Sequence, residues 1–243
     1  MIKTAIILAG GLGTRLRSVV PELPKCMAPV NGRPFLHYVL GHLRSQGVTD
    51  YIFSLGYKSD VITGYVERLP RGAGDTRTCF SVEEEPLGTG GAVRLALTRF
   101  PAGVVLVVNG DTLFRANLAA LGDFHTDHDA DCTLSLKPMT DFDRYGAVEL
   151  NADLSIRSFR EKQFYASGLI NGGVYALNAA RFLRESFPER FSFETDYLQK
   201  FTAFRRFYGL AEDAYFIDIG IPADYERAQR ELAKSEADPS PDN

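Results

Sequence analysis

The stretch from Thr4 to Leu16, TAIILAGGLGTRL, is a short apolar run followed at once by a glycine-rich turn and an arginine. Continuous Ile and Leu residues are typical of a strand covered on both faces. Glycines at the carboxyl end of such a strand let backbone N–H groups approach a ligand, and open α/β sheets bind ligands at this edge. Arg15 adds a permanently charged donor for phosphate oxygens. For this stretch alone, an ordinary tight turn with a surface arginine is an equal alternative.

Two further apolar runs, Tyr51–Leu55 and Val104–Val108, repeat the pattern of the first strand. Helical spacing of apolar residues predicts one helix after Pro34 and another from Ser59 to about Leu69. Strands that alternate with helices in this way are typical of βαβ units and a mostly parallel sheet. A last strand, Tyr215–Ile219, leads into a helix after Pro222.

Four later apolar runs lie close together along the chain with little helix between them. We expect them to form an antiparallel addition to the parallel sheet, which covers one side of a cleft. These runs are Cys132–Leu136, Ala147–Leu150, Ser155–Phe159 and Gly173–Leu177.

The 243 residues, of which 45% are hydrophobic, fit a single domain over residues 1–234 and a disordered tail over residues 235–243. A net charge of −4 supplies no basic field for nucleic acid or an anionic membrane. The apolar start is too short for a signal peptide or a membrane helix. The three cysteines, Cys26, Cys79 and Cys132, show no C-x-x-C spacing and suit a reducing compartment. We therefore expect a cytoplasmic protein.

A proline-framed lysine follows the glycine turn, in the segment PKCMAPVNGRP from Pro24 to Pro34. Prolines on both sides restrict the backbone around Lys25 to an extended path. This path can direct the ammonium group back towards the glycine turn. Lys25 and Arg15 are therefore the predicted catalytic cations.

These two segments together resemble the sugar nucleotidyltransferases, whose signature is G-G-x-G-T-R-L followed by P-K-x-x-x-P-V-x-G-x-P. The match spans about thirty residues, with a departure at residues 17–20, where many members carry a proline and a threonine. The resemblance implies a three-layer, Rossmann-like α/β fold with a mixed sheet and a small antiparallel sugar-binding addition. It also implies Mg²⁺-dependent transfer of a nucleoside monophosphate to a sugar 1-phosphate.

Asp111 follows the apolar run Val104–Val108 directly, in the sequence Asn109-Gly110-Asp111. Asn-Gly alone favours a hairpin turn, but the apolar strand and the helical pattern from about Asn117 favour the end of a parallel strand. A carboxylate there suits Mg²⁺ beside a triphosphate. The resemblance assigns the metal to Asp111 and to Asp218. For Asp218, which lies in an apolar strand, a structural salt bridge is the alternative.

The segment EEEPLGTGGA, residues 83–92, ends a predicted strand and begins a helix. In the family, the corresponding segment holds the base. Alternation along a strand would place Glu83 and Glu85 on one face, and a carboxylate can accept two hydrogen bonds from guanine but only one from uracil. We therefore expect GTP. The predicted nucleotide-binding residues are Leu8, Ala9, Gly10, Gly11, Gly13, Thr14, Glu83, Glu85, Gly88, Thr89, Asn109 and Gly110.

Three later segments match family segments that contact the sugar 1-phosphate. By that resemblance, the sugar phosphate-binding residues are Tyr145, Gly146, Glu161, Lys162, Asn171 and Gly172. The sequences of residues 141–146, 168–173 and 215–220 are most similar to those of family members that act on a heptose 1-phosphate and supply activated heptose for bacterial surface polysaccharides. Open alternatives are mannose 1-phosphate, UTP with another sugar, and a non-catalytic regulatory protein that binds sugar nucleotides. A homodimer is compatible with the sequence.

Overall fold

A computed structural model of the chain describes residues 1–11, 16, 19–70 and 77–237. Within these ranges, the centre of the molecule is a seven-stranded mixed sheet in the order β12-β8-β11-β6-β1-β4-β5. Its strands are β1 (Thr4–Leu8), β4 (Asp50–Leu55), β5 (Arg77–Val82), β6 (Val104–Asn109), β8 (Cys132–Phe142), β11 (Tyr165–Asn178) and β12 (Phe207–Ala211).

One half of the sheet is parallel, as the alternation of strands and helices predicts. Strand β1 lies at its centre and pairs in parallel with both β4 and β6, while β5 extends the sheet beyond β4. Helices α1 (Phe35–Ser45), α2 (Ser59–Glu67) and α3 (Gly88–Arg99) connect these strands. Because the strands are parallel, their carboxyl ends meet at one edge.

The other half of the sheet contains the expected antiparallel addition, and it is continuous with the parallel half. Strand β11 pairs antiparallel with β6 through Val174–Asn178 and with β8 on its other side, so both strands belong to the central sheet. The predicted runs Cys132–Leu136 and Gly173–Leu177 are only parts of longer strands. Only the outer parts of β8 and β11 and the pair β9 (Val148–Leu150) and β10 (Ile156–Phe159) extend the sheet outwards. One end of β11 therefore lies inside the central sheet, and its other end extends beyond the sheet with β8.

Helices cover both faces of the sheet, which confirms the predicted three-layer α/β fold. One hydrophobic core contains Ala5 and Ile7 of β1 together with apolar residues of α1, α2, α4 (Leu118–Asp127) and α6 (Pro222–Ala237). A second core contains Ile6 with residues of α3, α5 (Ala179–Leu183) and a π-helix, Phe193–Gln199. The alternation of adjacent β1 side chains between the two cores follows from the pleat of the strand.

Three two-stranded ladders complete the fold: β2 (Pro29–Val30) with β3 (Arg33–Pro34), β9 with β10, and β7 (Thr112–Phe114) with β13 (Phe216–Asp218). The Asn109-Gly110 dipeptide makes no hairpin, because β7 pairs with β13 and β6 pairs with β1 and β11. It ends a parallel strand, as the apolar sequence before it indicates.

Helix α6 continues to Ala237, so the predicted tail 235–243 begins inside this helix, and residues 238–243 lie outside the described ranges. Over the described part of the chain, every helix is too short or too polar to cross a membrane.

Candidate active site

A cavity of about 840 Å³ opens at the carboxyl ends of the parallel strands. Nine of the predicted nucleotide-binding residues line it, and so do Lys25, Asp111 and Asp218. The structure thus brings the predicted catalytic lysine, both predicted metal ligands and most of the predicted nucleotide site to one place. The nine residues are Leu8, Ala9, Gly10, Gly11, Glu83, Glu85, Gly88, Thr89 and Asn109.

The turns after β1 and β6 pack closely against their neighbours, which explains one glycine in each. A Cβ atom on Gly10 would lie 3.0 Å from the backbone nitrogen of Gly56, and one on Gly110 would lie 2.9 Å from the carbonyl oxygen of Leu8. Gly110 donates its backbone N–H to that same oxygen at 2.9 Å, so it holds two strand ends together and does not line the cavity. Gly13, Thr14 and Arg15 lie outside the described residues.

Lys25 lies between the two predicted metal ligands. Its Nζ atom is 2.6 Å from Oδ2 of Asp111 and 3.3 Å from Oδ1 of Asp218. Burial lowers the pKa of Lys25, but the two carboxylates outweigh this effect, and the net result is a raised pKa. The lysine is therefore a permanent cation in the wall of the cavity. A short 3₁₀ turn, Lys25–Met27, positions it between Pro24 and Pro29.

The pairing of β7 with β13 places the second carboxylate. In this ladder Asp218 lies opposite Thr112, the residue after Asp111. Ile219 donates its N–H to the carbonyl oxygen of Asp111 at 3.2 Å, and Gly220 donates to Oδ1 of Asp218 at 2.7 Å. The predicted strand Tyr215–Ile219 placed Asp218 in its interior. In the structure Asp218 is the last residue of β13, and its side chain is 23% exposed. Its partner is Lys25.

The residues present fit a magnesium ion. Asp111 and Asp218 are hard oxygen donors, both face the cavity, and both contact the same ammonium nitrogen. Mg²⁺ is commonly held by one or two carboxylates, with phosphate oxygens and water as the other ligands. Among the described residues, no third acidic, histidine or cysteine side chain joins them in a metal-binding group. Any remaining ligands would therefore come from substrate and water.

The three acidic residues after β5 all line the cavity, but not by strand alternation, because β5 ends at Val82. Oε2 of Glu83 accepts the N–H of Leu87 at 3.2 Å, and Oε1 lies 2.7 Å from the position of a Cβ on Gly56. Burial raises the pKa of Glu83. Glu85 is exposed. The two predicted base contacts are therefore not equivalent, since Glu83 is held beside the first glycine turn.

The glycines at the start of α3 are needed mainly for packing. A Cβ on Gly90 would lie 2.2 Å from the ring of Phe191, and one on Gly88 would lie 2.5 Å from its carbonyl oxygen. Gly90 donates its N–H to that oxygen at 3.0 Å. Thr89 accepts the N–H of Phe193 at 2.9 Å. These glycines therefore allow the segment before the π-helix, which contains Phe191, to pack closely against the start of α3.

The predicted sugar-binding residues lie in β11 and in the segments between β8 and β9 and between β10 and β11, and they do not line the cavity. Glu161 and Lys162 are exposed between β10 and β11. The ring of Tyr145 packs edge-on against Phe216 at 5.9 Å. Gly146 and Gly172 accept close neighbours, since added Cβ atoms would lie 2.4 Å from the carbonyl oxygen of Arg160 and 2.3 Å from Phe114, respectively. Asn171 donates a hydrogen bond to the hydroxyl of Tyr175 and accepts one from the backbone N–H of Gly173.

The sequence analysis missed Glu194, which the π-helix presents to the cavity. The acid lies between buried Phe193 and buried Tyr197, and this pattern alone is not distinguishable from a solvated helix edge. Ser54, Gly56 and Tyr57, at the end of β4, also line the cavity and were not predicted. Their position at the carboxyl end of a parallel strand was the available signal.

The fold and the site define a nucleotide-using transferase, and the chain belongs to the nucleotidyl transferase family, whose model matches residues 4–235. D-glycero-alpha-D-manno-heptose 1-phosphate guanylyltransferase of Aneurinibacillus thermoaerophilus is 50% identical over 94% of this chain and 97% of its own. The protein of that name from Campylobacter jejuni is 42% identical over 91% and 96%. The crystal structure of HddC from Yersinia pseudotuberculosis complexed with GMP-PN has a TM-score of 0.84 at 37% identity, covering 95% of this chain and 100% of that one. The predicted family is confirmed.

Proposed function

We propose that this chain transfers the GMP unit of GTP to D-glycero-α-D-manno-heptose 1-phosphate and releases pyrophosphate, with Mg²⁺ as cofactor. The observation that carries the proposal is the meeting of Lys25, Asp111 and Asp218 at one end of a cavity at the strand ends. Similarity to guanylyltransferases over nearly the whole chain supports the choice of substrates. We place the reaction in the cytoplasm, as a supply of activated heptose for a bacterial surface polysaccharide.

The proposed chemistry is a displacement at the α-phosphorus of GTP. A phosphate oxygen of the sugar 1-phosphate forms the new P–O bond, and the bond from the α-phosphorus to the oxygen that bridges it to the β-phosphorus breaks. Pyrophosphate leaves with that electron pair. The nucleophile is already an anion, so the site needs no strong base. Catalysis then depends on positioning and on neutralising charge around the phosphorus.

Lys25 is the described cation best placed for this task, because its raised pKa keeps it charged and it lies at the cavity wall. Mg²⁺ held by Asp111 and Asp218 would neutralise further charge on the phosphates. Arg15, Gly13 and Thr14 are proposed to contact the triphosphate, and Lys162 the phosphate of the sugar. Tyr145, Gly146, Glu161, Asn171 and Gly172 are proposed to bind the sugar.

Guanine recognition is proposed for the acidic segment before α3. A carboxylate has four lone-pair sites and can accept both N1–H and N2–H of guanine while still accepting Leu87 N–H. Glu83 is fixed by that hydrogen bond and is partly desolvated, which strengthens its discrimination. Glu85 is proposed to assist from its exposed position.

The test is pyrophosphate release over a matrix of nucleoside triphosphates and sugar 1-phosphates. We expect GTP to exceed UTP in kcat/KM by an amount that corresponds to ~2–4 kcal/mol, because uracil leaves part of the carboxylate unpaired. Heptose 1-phosphate should exceed mannose 1-phosphate by at least ~10-fold, since a site that binds the extra hydroxyl leaves polar groups unpaired with mannose. Equal kcat/KM values for GTP and UTP would contradict the assignment of GTP. A higher kcat/KM for mannose 1-phosphate would contradict the assignment of the heptose.

A further inference from the structure

An ion pair joins the outer arm, residues 137–171, to helix α6, and the chemistry above does not use it. Arg144, between β8 and β9, donates through Nη1 to Oδ2 of Asp224 in the first turn of α6. The side chain of Asp224 is 11% exposed, and Nη1 of Arg227 lies 3.4 Å from its other oxygen. Because Asp224 is largely withdrawn from water, losing Arg144 would leave its charge poorly compensated. The pair therefore resists separation of the arm from the helix.

Helix α6 is itself fixed to the side of the cavity that holds Lys25. The helix begins shortly after Asp218. The hydroxyl of Tyr225 donates to the carbonyl oxygen of Pro29, and Nε2 of Gln229 donates to the same oxygen at 2.7 Å. Pro29 follows the 3₁₀ turn that begins with Lys25. The helix is therefore held relative to both the lysine and the second proposed metal ligand.

The residue next to Arg144 contacts the strand of that metal ligand. The ring of Tyr145 packs edge-on against Phe216 at 5.9 Å, in the strand that ends with Asp218. Burial raises the pKa of Tyr145, and the negative charge of Asp218 raises it further, so the two groups lie within electrostatic reach. This part of the outer arm thus packs against β13 and α6 together.

The segment that follows Arg144 also holds the proposed sugar-phosphate lysine in place. Ala147 accepts the N–H of Arg160 at 2.7 Å. The backbone of Gly146 lies so close to Arg160 that an added Cβ atom would collide with its carbonyl oxygen. Lys162 is two residues further along the chain. A displacement of Arg144 would therefore move Lys162 with it.

Two simpler roles for Asp224 make different predictions. An acid in the first turn of a helix stabilises the helix through its dipole, and this role does not need Arg144. A long-range charge effect would have opposite signs for the two residues, because losing the aspartate would strengthen the binding of an anionic sugar phosphate and losing the arginine would weaken it. A positioning role makes both losses act in the same direction.

We propose that Arg144 and Asp224 position the outer arm so that Lys162 faces the sugar 1-phosphate beside Asp218 and Lys25. Both are positioning residues, which act through the arm without contacting the reacting atoms. This inference rests on the proposed function and adds two residues that determine the affinity for the second substrate.

The kinetic test varies the sugar 1-phosphate at saturating GTP. Asp224→Ala and Arg144→Ala should each raise the KM for the sugar 1-phosphate by at least ~5-fold and change the calorimetric affinity for GTP by less than ~2-fold, because only the group on the arm is misplaced. The double variant should be no worse than either single variant, since the two residues act as a unit. Arg144→Lys, which keeps the charge, should restore part of the loss.

Amide hydrogen exchange measures the position of the arm without turnover. The N–H of Arg160 should exchange at least ~10-fold faster in both single variants, because its hydrogen bond to Ala147 opens more often. Exchange at wild-type rates in both variants would show that the ion pair does not hold the arm and would overturn the inference.

Glu231→Gln is the matched control on α6, because the partners of Glu231 are Arg227 and Tyr215. It should leave both the KM for the sugar 1-phosphate and the exchange at Arg160 at wild-type values. Opposite changes in KM for the two single variants would show a charge effect and overturn the inference, as would unchanged KM values. If the wild type makes no sugar nucleotide from any sugar 1-phosphate, the proposed function itself fails, and the exchange at Arg160 still decides whether the ion pair holds the arm.

Discussion

One ammonium group lies between two carboxylates in the wall of the cavity. Lys25 contacts Asp111 at 2.6 Å and Asp218 at 3.3 Å, and its own side chain is only 16% exposed. The same atom that is proposed to stabilise the transferring phosphate thus offsets half of the formal charge of the two carboxylates. Removing it has two consequences that can be measured separately.

The first consequence concerns turnover. Lys25→Ala should lower kcat by at least ~10²-fold, because a preorganised charge beside the reacting phosphorus is lost. The measurement is pyrophosphate release at saturating GTP and sugar 1-phosphate. Lys200→Ala serves as the control, since Lys200 pairs with Asp196 on the surface. Turnover near that of the wild type in folded Lys25→Ala would exclude a catalytic role.

The second consequence concerns the metal. In the nucleotide-free protein, Lys25 competes with a cation for Asp111 and Asp218. Lys25→Met should therefore bind free Mn²⁺ more tightly than the wild type, by ~10-fold or more, because unpaired like charges attract a divalent ion. Titration of Mn²⁺ by electron paramagnetic resonance measures this affinity without any turnover. Weaker binding by Lys25→Met would show that the two aspartates do not form the metal site.

At the scale of elements, the position of helix α3 depends on Gly88 and Gly90, because a side chain at either position would collide with Phe191. The first residues of α3 lie against Phe191, and the π-helix begins two residues after Phe191, so this contact joins the two helices. The sequence analysis counted one of these glycines, Gly88, among the nucleotide-binding residues. The structure shows that chain-to-chain packing requires them, a requirement that no local pattern reveals because Phe191 is a hundred residues away.

Two helix-interior glycines provide a matched comparison. Gly90→Ala should lower the free energy of unfolding by ~1–3 kcal/mol, because its Cβ would lie 2.2 Å from the ring of Phe191. Gly41→Ala in α1 meets nothing within 4 Å and should raise it by ~0.5–1 kcal/mol through helix propensity. Urea unfolding of both variants decides the point. Equal effects of the two substitutions would contradict the packing argument.

At the scale of the whole molecule, the two halves of the sheet were predictable to different extents. The parallel half follows from continuous apolar strands between helical patterns, and it was predicted nearly to the residue at Thr4–Leu8. In the antiparallel half, β9 and β10 were predicted within one residue. The full lengths of β8 and β11 were not, because the outer part of β11 is only partly buried and its pairing with both β6 and β8 is long-range. Asp111 was predictable as a strand end. That Asp218 meets it depends on the ladder between β7 and β13, which sequence spacing does not encode.

The same distinction separates local from tertiary signals in the cavity. Glycine turns and a proline-framed lysine are local patterns with few structural alternatives, and they led directly to Gly10 and Lys25. Glu194 and Tyr175 depend on a contact between β11 and a π-helix. An acid among aromatic residues has no local signature, so only the structure identifies it.

A buried histidine makes the stability of the molecule dependent on pH. Burial lowers the pKa of His125 to about 4, while its Nδ1 atom bonds the hydroxyl of buried Thr133 at 3.0 Å. The unfolded chain binds a proton near pH 6.5 and the folded protein does not, so the stability present above this pH declines as the pH falls towards 4.

The double variant His125→Leu with Thr133→Val removes both partners, so neither is left unpaired. We expect its melting temperature to fall less than that of the wild type between pH 7 and pH 5, as measured by calorimetry. Asp131 and Asp129, whose charges also act on His125, remain in both proteins. An identical pH dependence in the two proteins would show that His125 does not contribute.

The ladder between β7 and β13 also has a consequence for synthesis on the ribosome. Lys25 and Asp111 emerge early, but Asp218 lies in the last strand of the described chain, more than one hundred residues later. Because chains fold from their amino terminus during translation, the nucleotide cradle can form on a nascent chain while the carboxylate pair is still incomplete. Under the proposed function, such a nascent domain would bind GTP but would lack one proposed metal ligand until the polypeptide is nearly finished.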